Sequence, residues 1–346
     1  MLNFKKALKT TIIFVLCIFV ISVGLSEIYF QGENSFYQDA KERDALSGSV
    51  NYIISGASHG LRAFKPSIID QELDVNCYNL SGARMTMKGR YELLSIELER
   101  NPIETVVIEL SYDSMTRNRK DEGPEGDLYV LGRFNSFSQR VGFFAKAFYP
   151  SEYGQVYYDT INRGITSLKN LVTGNYTTEL SEFYKGYFPT PKPDTKLDDN
   201  YSEIHNTREY ETEIDDESVQ YLDKIIALCK QHGTRIILVT TPLSELVTCK
   251  CSNLDVFYNW YKEYAYENEL EFYDFNLLKE KQDMLPDELA YYDAGHLNDT
   301  GADIFGMEYC RIMRMVDAGE DISELFYGSY DELDASCNYW ALFLSE

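Results

Sequence analysis

Short apolar runs alternate with amphipathic segments along most of the chain after residue 48. Five runs rich in β-branched and aromatic residues predict strands, at 50–55, 75–80, 104–110, 235–240 and 270–275. Apolar residues at helical spacing predict helices at 85–100, 217–232, 254–268 and 298–316. Strands that alternate with helices predict an α/β fold: a three-layer parallel sheet with helices on both faces.

This alternation is interrupted between residues 113 and 215. The interval contains Gly-Pro at 123–124, aromatic clusters, and Pro-Lys-Pro-Asp at 191–194. Glycine and proline at these positions disfavour regular strands. We therefore interpret 113–215 as a partly helical insertion in a single domain that extends over 49–346.

The first 28 residues follow a different pattern. Lys5, Lys6 and Lys9 form a basic tail, residues 1–9, and the uncharged run that follows predicts an apolar helix at 10–28. Its length suits either a membrane span or a signal peptide, and we favour an uncleaved span because no A-x-A-like site follows. The lysines place the N-terminus in the cytoplasm, so residues 29–48 become a polar stalk and the domain lies outside the cell.

Composition narrows the classes of partner. The net charge is -24 over 346 residues, and an acidic domain repels nucleic acid. None of the four histidines has ligand spacing to a cysteine pair, so we predict no metal. No glycine loop with phosphate-binding spacing is present, so we predict no cofactor.

Two short motifs at opposite ends of the domain supply groups for acyl transfer. Residues 52–60 (YIISGASHG) predict a strand that runs into a glycine-flanked turn carrying Ser58, and residues 293–296 place Asp293 and His296 before a helix. Such chemistry needs a nucleophile, a base that takes its proton and a carboxylate that orients the base. Because sites in parallel sheets form beyond the carboxyl ends of the strands, we expect these groups at one edge.

The order Gly56-Ala57-Ser58, then Asp293-x-x-His296, resembles the SGNH/GDSL hydrolase superfamily. Within it, the chain is similar to the cell-envelope branch, which includes the D-alanyl-lipoteichoic acid biosynthesis and alginate O-acetylation proteins. The similarity covers about residues 48 to 316, apart from the insertion. It implies an SGNH/flavodoxin-like sheet, Ser58 as nucleophile, His296 as general base and Asp293 as orienting carboxylate. It also implies a membrane-bound O-acyltransferase partner.

The same resemblance indicates the donors of an oxyanion hole. The N–H of Ser58 and that of Gly82 are two candidates, and Ser111 stands where the family has an asparagine after its third strand. The family's acidic residue before the nucleophile is replaced here by Ala57. His59 and Tyr112 are candidates for substrate contacts.

Together these patterns predict a membrane-anchored extracytoplasmic serine acyltransferase. The expected acyl group is acetyl or D-alanyl, and the expected acceptor is an extracellular glycopolymer such as a cell-envelope polysaccharide or a teichoic-type polymer. Two alternatives remain open. One is an esterase that removes acyl groups from cell-wall carbohydrate, and the other is a non-catalytic polymer-binding or assembly subunit. The missing asparagine and the tyrosine-rich insertion favour the second alternative.

Overall fold

The computed structural model divides into two compact units, Met1–Glu42 with Asp127–Glu182, and Arg43–Gly126 with Phe183–Glu346. The predicted insertion therefore contributes its middle part to the unit of the N-terminal helix. The structure describes residues 2–33, 35–112, 114–116, 123–176, 184–192 and 212–336. Parts of the insertion, namely 113, 117–122, 177–183 and 193–211, lie outside these ranges.

Five parallel strands form the sheet of the second unit: β1 (Tyr52–Ser55), β2 (Cys77–Asn79), β3 (Thr105–Glu109), β4 (Arg235–Thr240) and β5 (Glu271–Asp274). Their order is β2-β1-β3-β4-β5, the doubly wound flavodoxin-like order, which places a ligand site at the switch point between β1 and β3. Each strand lies within a run predicted from sequence. The prediction of an α/β fold with a parallel sheet is confirmed.

The helices begin and end close to the sequence signals for caps. The side chain of Asp215 accepts the N–H of Ser218, and Gly233 ends the same helix in the left-handed conformation. In chain order the helices are α1 (Leu2–Ile28), α2 (Ser35–Ala45), α3 (Ser58–Ala63), α4 (Pro66–Leu73), α5 (Met87–Arg100), α6 (Glu125–Leu131), α7 (Phe137–Ala147), α8 (Tyr153–Thr173), α9 (Asp216–His232), α10 (Glu245–Lys250), α11 (Leu254–Glu267), α12 (Lys281–Met284), α13 (Asp287–Ala290), α14 (Asp299–Asp317) and α15 (Tyr330–Ser336).

Alternate strand residues build a core on each face of the sheet. Ile54 and Val107 point toward α14, where they join Phe305 and Tyr309 in one buried cluster. The hydroxyl of Tyr309 is satisfied there by the hydroxyl of Tyr52, 2.5 Å away. Helices α3 and α4 pack on α14 and complete this layer.

The other face is covered by α5 and α9, which pack against each other. Ile53, Val106 and Leu238 have the opposite strand phase, and each is almost completely buried. Burial on both faces explains why the central strands β1, β3 and β4 are almost continuously apolar rather than alternating.

The first unit contains the N-terminal helix. The segment Phe4–Gln31 is long and apolar enough to cross a membrane. The stretch predicted as a polar stalk, residues 29–48, instead contains helix α2. Asp39 of this helix is buried beside Arg133, 3.8 Å away, because each charged group needs an opposite partner when it leaves water.

A buried ion pair ties the end of α2 to α5. Arg43 Nε and Glu97 Oε1 are 3.1 Å apart, and both side chains are 3% exposed. We expect Glu97→Ala to lower the free energy of unfolding by about 3–5 kcal/mol, because it removes the carboxylate opposite a buried guanidinium. Denaturant unfolding of the full chain in detergent, followed by circular dichroism, measures this change. The exposed Glu104→Ala control should stay within about 0.5 kcal/mol, and equal shifts would contradict the prediction.

Candidate active site

A sharp turn between β1 and α3 carries Ser58 as the first residue of the helix. A Cβ at Gly56 would lie 2.6 Å from Glu109 Oε2, and a Cβ at Gly60 would lie 2.8 Å from Ser81 Oγ. Both positions therefore allow a close approach that a side chain would block. As a result, Ser58 lies at the carboxyl end of β1, the edge that the strand order marks for a site.

The loop before α14 carries Asp293 and His296. A β-bridge between Tyr291 and Leu297 closes the loop. Asn298 fixes its end, because its side-chain amide donates to the carbonyl of Tyr291 (3.1 Å) while its oxygen caps α14. The carboxylate of Asp293 accepts the backbone N–H of His296 at 2.9 Å, so the two residues are held at a set distance.

These two motifs meet as a hydrogen-bonded line of three side chains. His296 Nε2 lies 2.9 Å from Ser58 Oγ, and His296 Nδ1 lies 2.8 Å from Asp293 Oδ1 and 2.9 Å from Oδ2. An ionised carboxylate only accepts, so the proton on Nδ1 belongs to the His296–Asp293 bond. Nε2 is then the acceptor for the Ser58 proton, as a general base requires.

The electrostatics of Asp293 favour this arrangement. Burial acts to raise its pKa, but the hydrogen bond and charge of His296 outweigh burial and hold the pKa below its usual range. The carboxylate therefore stays ionised and stabilises positive charge on the imidazole. The side chains of His296 and Asp293 are 22% and 26% exposed, so small molecules can reach the site.

His59 lies against His296. Its ring stacks on that of His296, with centroids 4.5 Å apart and an angle of 17° between planes. His59, which the sequence predicts as a substrate contact, therefore also contacts His296. Throughout the described ranges, no three His, Cys, Asp or Glu side chains are grouped so as to hold a metal ion.

The three oxyanion-hole candidates differ in what their donors already bond. Ser58 begins α3, so its N–H has no acceptor within the helix. The N–H of Gly82 instead donates to the carbonyl of Gly56 at 3.2 Å. The N–H and hydroxyl of Ser111 both bond Ser114 Oγ, at 3.1 and 2.6 Å. The N–H of Ser58 is thus the candidate donor that remains available.

Tyr112, predicted as a substrate contact, is buried in a different network. Its hydroxyl donates to Asp274 at 3.0 Å and accepts from Asn276 at 2.9 Å, and it also contacts the hydroxyl of Tyr330. Burial, with the nearby Asp274 charge, raises the pKa of Tyr112 well above its usual value. A phenol next to a buried strand end must satisfy its hydroxyl inside the protein, and this side chain does so by turning toward β5.

Glu109 is a functional candidate that sequence reasoning missed. The residue is completely buried at the end of β3, and its Oε2 accepts the N–H of Ala57 at 2.9 Å. The guanidinium of Arg90, equally buried, lies 4.0 Å from this carboxylate. A glutamate inside an otherwise apolar strand was the available signal, because a buried charge needs a specific partner.

The chain is similar to a GDSL-like lipase from Bacteroides thetaiotaomicron, with 12% identity, 82% of this chain and 98% of that chain covered, and a TM-score of 0.38. A candidate acylhydrolase from Bacteroides fragilis matches at 11% identity, 81% and 94% coverage, and a TM-score of 0.38. A G-D-S-L family lipolytic protein from Desulfitobacterium hafniense matches at 10% identity, 76% and 99% coverage, and a TM-score of 0.37.

No protein-family model and no curated protein matches the chain. Identities of 10–12% and these TM-scores are too low to transfer a residue role from any of the three proteins.

The buried carboxylate under the nucleophile turn can be tested by two substitutions. We expect Glu109→Ala to slow the reaction of Ser58 with a fluorophosphonate about tenfold, because the Ala57 N–H loses its acceptor and the buried Arg90 charge loses the carboxylate opposite it. Glu109→Gln retains an acceptor oxygen and should react at close to the wild-type rate. Labelling rates, with circular dichroism to verify folding, measure the effect. Equal rates for Glu109→Ala and the wild type would remove Glu109 from the site.

Proposed function

We propose that this chain is a membrane-anchored serine acyl-transfer enzyme that uses Ser58, His296 and Asp293. The observation that carries the proposal is the continuous hydrogen-bonded line from Asp293 through His296 to Ser58 Oγ. The depressed pKa of Asp293 and the free N–H at the start of α3 support it. The resemblance of the two motifs to the SGNH superfamily agrees with it.

In the first half-reaction Ser58 Oγ attacks the carbonyl carbon of an ester donor, and its proton passes to His296 Nε2. The imidazolium that forms is stabilised by Asp293 at 2.8 Å. The new oxyanion accepts the N–H of Ser58. Collapse of the tetrahedral intermediate breaks the ester C–O bond, and the leaving oxygen takes the proton from Nε2. The acyl group then remains on Ser58.

The second half-reaction regenerates the free hydroxyl of Ser58. A hydroxyl of the acceptor gives its proton to His296 Nε2 while its oxygen attacks the acyl carbon. The bond to Ser58 Oγ breaks, and Oγ recovers the proton from Nε2. A sugar or polymer hydroxyl as acceptor gives an acyltransferase, whereas water gives an esterase.

The finer proposal concerns the setting of this reaction. We assign the acyl group as acetyl or D-alanyl, the acceptor as an extracellular cell-envelope polysaccharide or teichoic-type polymer, and the donor as a membrane-bound O-acyltransferase partner. The apolar helix at Phe4–Gln31 supports attachment to a membrane. Three lysines before it and an acidic remainder support a cytoplasmic N-terminus and an extracellular catalytic unit.

Two observations support alternative functions. The exposure of His296 and Asp293 admits water, which favours an esterase acting on cell-wall carbohydrate. The bonded donors at Gly82 and Ser111 leave an incomplete oxyanion hole, which favours a non-catalytic polymer-binding or assembly subunit. The experiments below separate these functions.

The activated serine is tested by the intact mass of the full chain in detergent after incubation with a fluorophosphonate. We expect one adduct on the wild type and none on Ser58→Ala. His296→Ala should react at least about 100-fold more slowly, because general base catalysis contributes a factor of this size.

Two exposed residues provide matched controls for this labelling. Ser49→Ala and His232→Ala remove the same side chains at surface positions, and both variants should label at the wild-type rate. No adduct on folded wild-type protein would reject the catalytic proposal for the isolated chain and favour the binding function.

Transfer and hydrolysis are separated by the fate of a radiolabelled acetyl group. With 4-nitrophenyl acetate as donor and a purified cell-wall glycopolymer as acceptor, a transferase should move the label onto the polymer, and Ser58→Ala should not. An esterase should release free acetate at the same rate with or without the polymer. The measurement is scintillation counting of polymer and supernatant after separation by size.

A further inference from the structure

Helix α8 (Tyr153–Thr173) is amphipathic, but much of its apolar surface is exposed. Its buried residues, Val156, Gly164 and Ser167, fall in one narrow sector of the helix. Polar residues such as Asn162 and Thr166 occupy a second sector and are exposed. Between these two lies a third sector, apolar and exposed, formed by Tyr157, Tyr158, Ile165, Leu168, Leu171 and Val172.

The apolar sector is too exposed to be explained as single apolar residues of the kind that any protein surface carries. Val172 is 79% exposed and Tyr158 is 66% exposed. Six apolar side chains along one side of a single helix form a contiguous patch, and such a patch in contact with water costs free energy unless something covers it. The sector therefore indicates a contact surface.

Helix α8 packs on the end of α1. Ser22 Oγ and the hydroxyl of Tyr157 are 2.7 Å apart. The two backbones also approach closely, since a Cβ at Gly164 would lie 2.4 Å from the carbonyl oxygen of Leu25. A small residue that permits such an approach is typical of helix pairs in membranes.

The contacts lie at one end of α1. On α1 they fall between Ser22 and Ile28, about 9 Å of helix rise. On the other side the contacts run from Tyr157 to Gly164 within α8, and beyond its end they include Tyr176. The surface of α1 from Ile12 to Ile21 remains exposed and apolar. The apolar sector of α8 thus continues the lipid-facing surface of α1 at the end of the proposed span.

We infer that α8 lies in the interfacial layer of the bilayer that α1 crosses, with its apolar sector among the upper acyl chains and its polar sector toward water. The occupant of this surface is lipid, because the patch lies beside the apolar span. Tyr157 and Tyr158 suit this depth, since tyrosine is enriched where acyl chains meet headgroups. An amphipathic helix of this length binds such a layer through its apolar face. The inference rests on the proposed membrane span but not on the acyl-transfer chemistry.

The inference is tested with tryptophan fluorescence in vesicles. The full chain is reconstituted in phosphatidylcholine whose upper acyl chains are brominated, and variants carry one added tryptophan. In Leu168→Trp we expect the added fluorescence to fall at least about twofold relative to unbrominated lipid, because the residue contacts acyl chains. In Thr166→Trp, on the polar sector, the fluorescence should be unchanged. The signal of the two native tryptophans is subtracted using the wild type.

A third variant separates the possible outcomes. Val15→Trp reports whether α1 is in the bilayer. Quenching at Val15 but not at Leu168 would overturn the inference, and a dimer in the same vesicles would then assign the apolar sector to a second copy. Quenching at neither position would also overturn the inference, because α1 would then not lie in the bilayer as the proposed span requires. Fluorophosphonate labelling of Ser58 in the same vesicles reads the proposed chemistry independently of all three results.

Discussion

The site depends on a close contact between the end of β1 and the buried side chain of Glu109. The parallel register pairs Ser55 with Ile108, so Gly56, the residue that follows β1, comes beside Glu109. The carboxylate then accepts the N–H of Ala57, and only a residue without a Cβ fits at Gly56. This contact turns the chain sharply, so that α3 begins with a serine whose hydroxyl faces the open edge of the sheet.

The other half of the site comes from the far end of the domain, in a loop that is held by its own hydrogen bonds. Hydrogen bonds from Asn298 and the bridge between Tyr291 and Leu297 hold that loop, and Asp293 bonds the backbone of His296. For the proposed base, His296, this positioning leaves little conformational freedom to lose when it takes a proton, which is what preorganised catalysis requires. Stacking of His59 on His296 further restricts the ring.

The two units of the chain place their apolar residues in opposite ways. In the sheet unit, apolar residues face inward from strands covered on both sides. In α1 and α8, apolar residues face outward, because their apolar surroundings are proposed to be lipid. The two arrangements look alike in composition, and only the exposure of Tyr158 and Val172 in the folded chain distinguishes them.

The sequence by itself determined the α/β class, the five strand positions, the apolar N-terminal helix and the serine, aspartate and histidine of the candidate site. These features follow from local periodicity and from short motifs, which need no knowledge of distant contacts. The tertiary structure decided which donors are free, the burial of Tyr112, the support from Glu109 and the association of α8 with α1. Each of these features depends on contacts between residues far apart in the chain. Such contacts are decided by which buried polar groups find hydrogen-bond partners and by how closely the backbones approach.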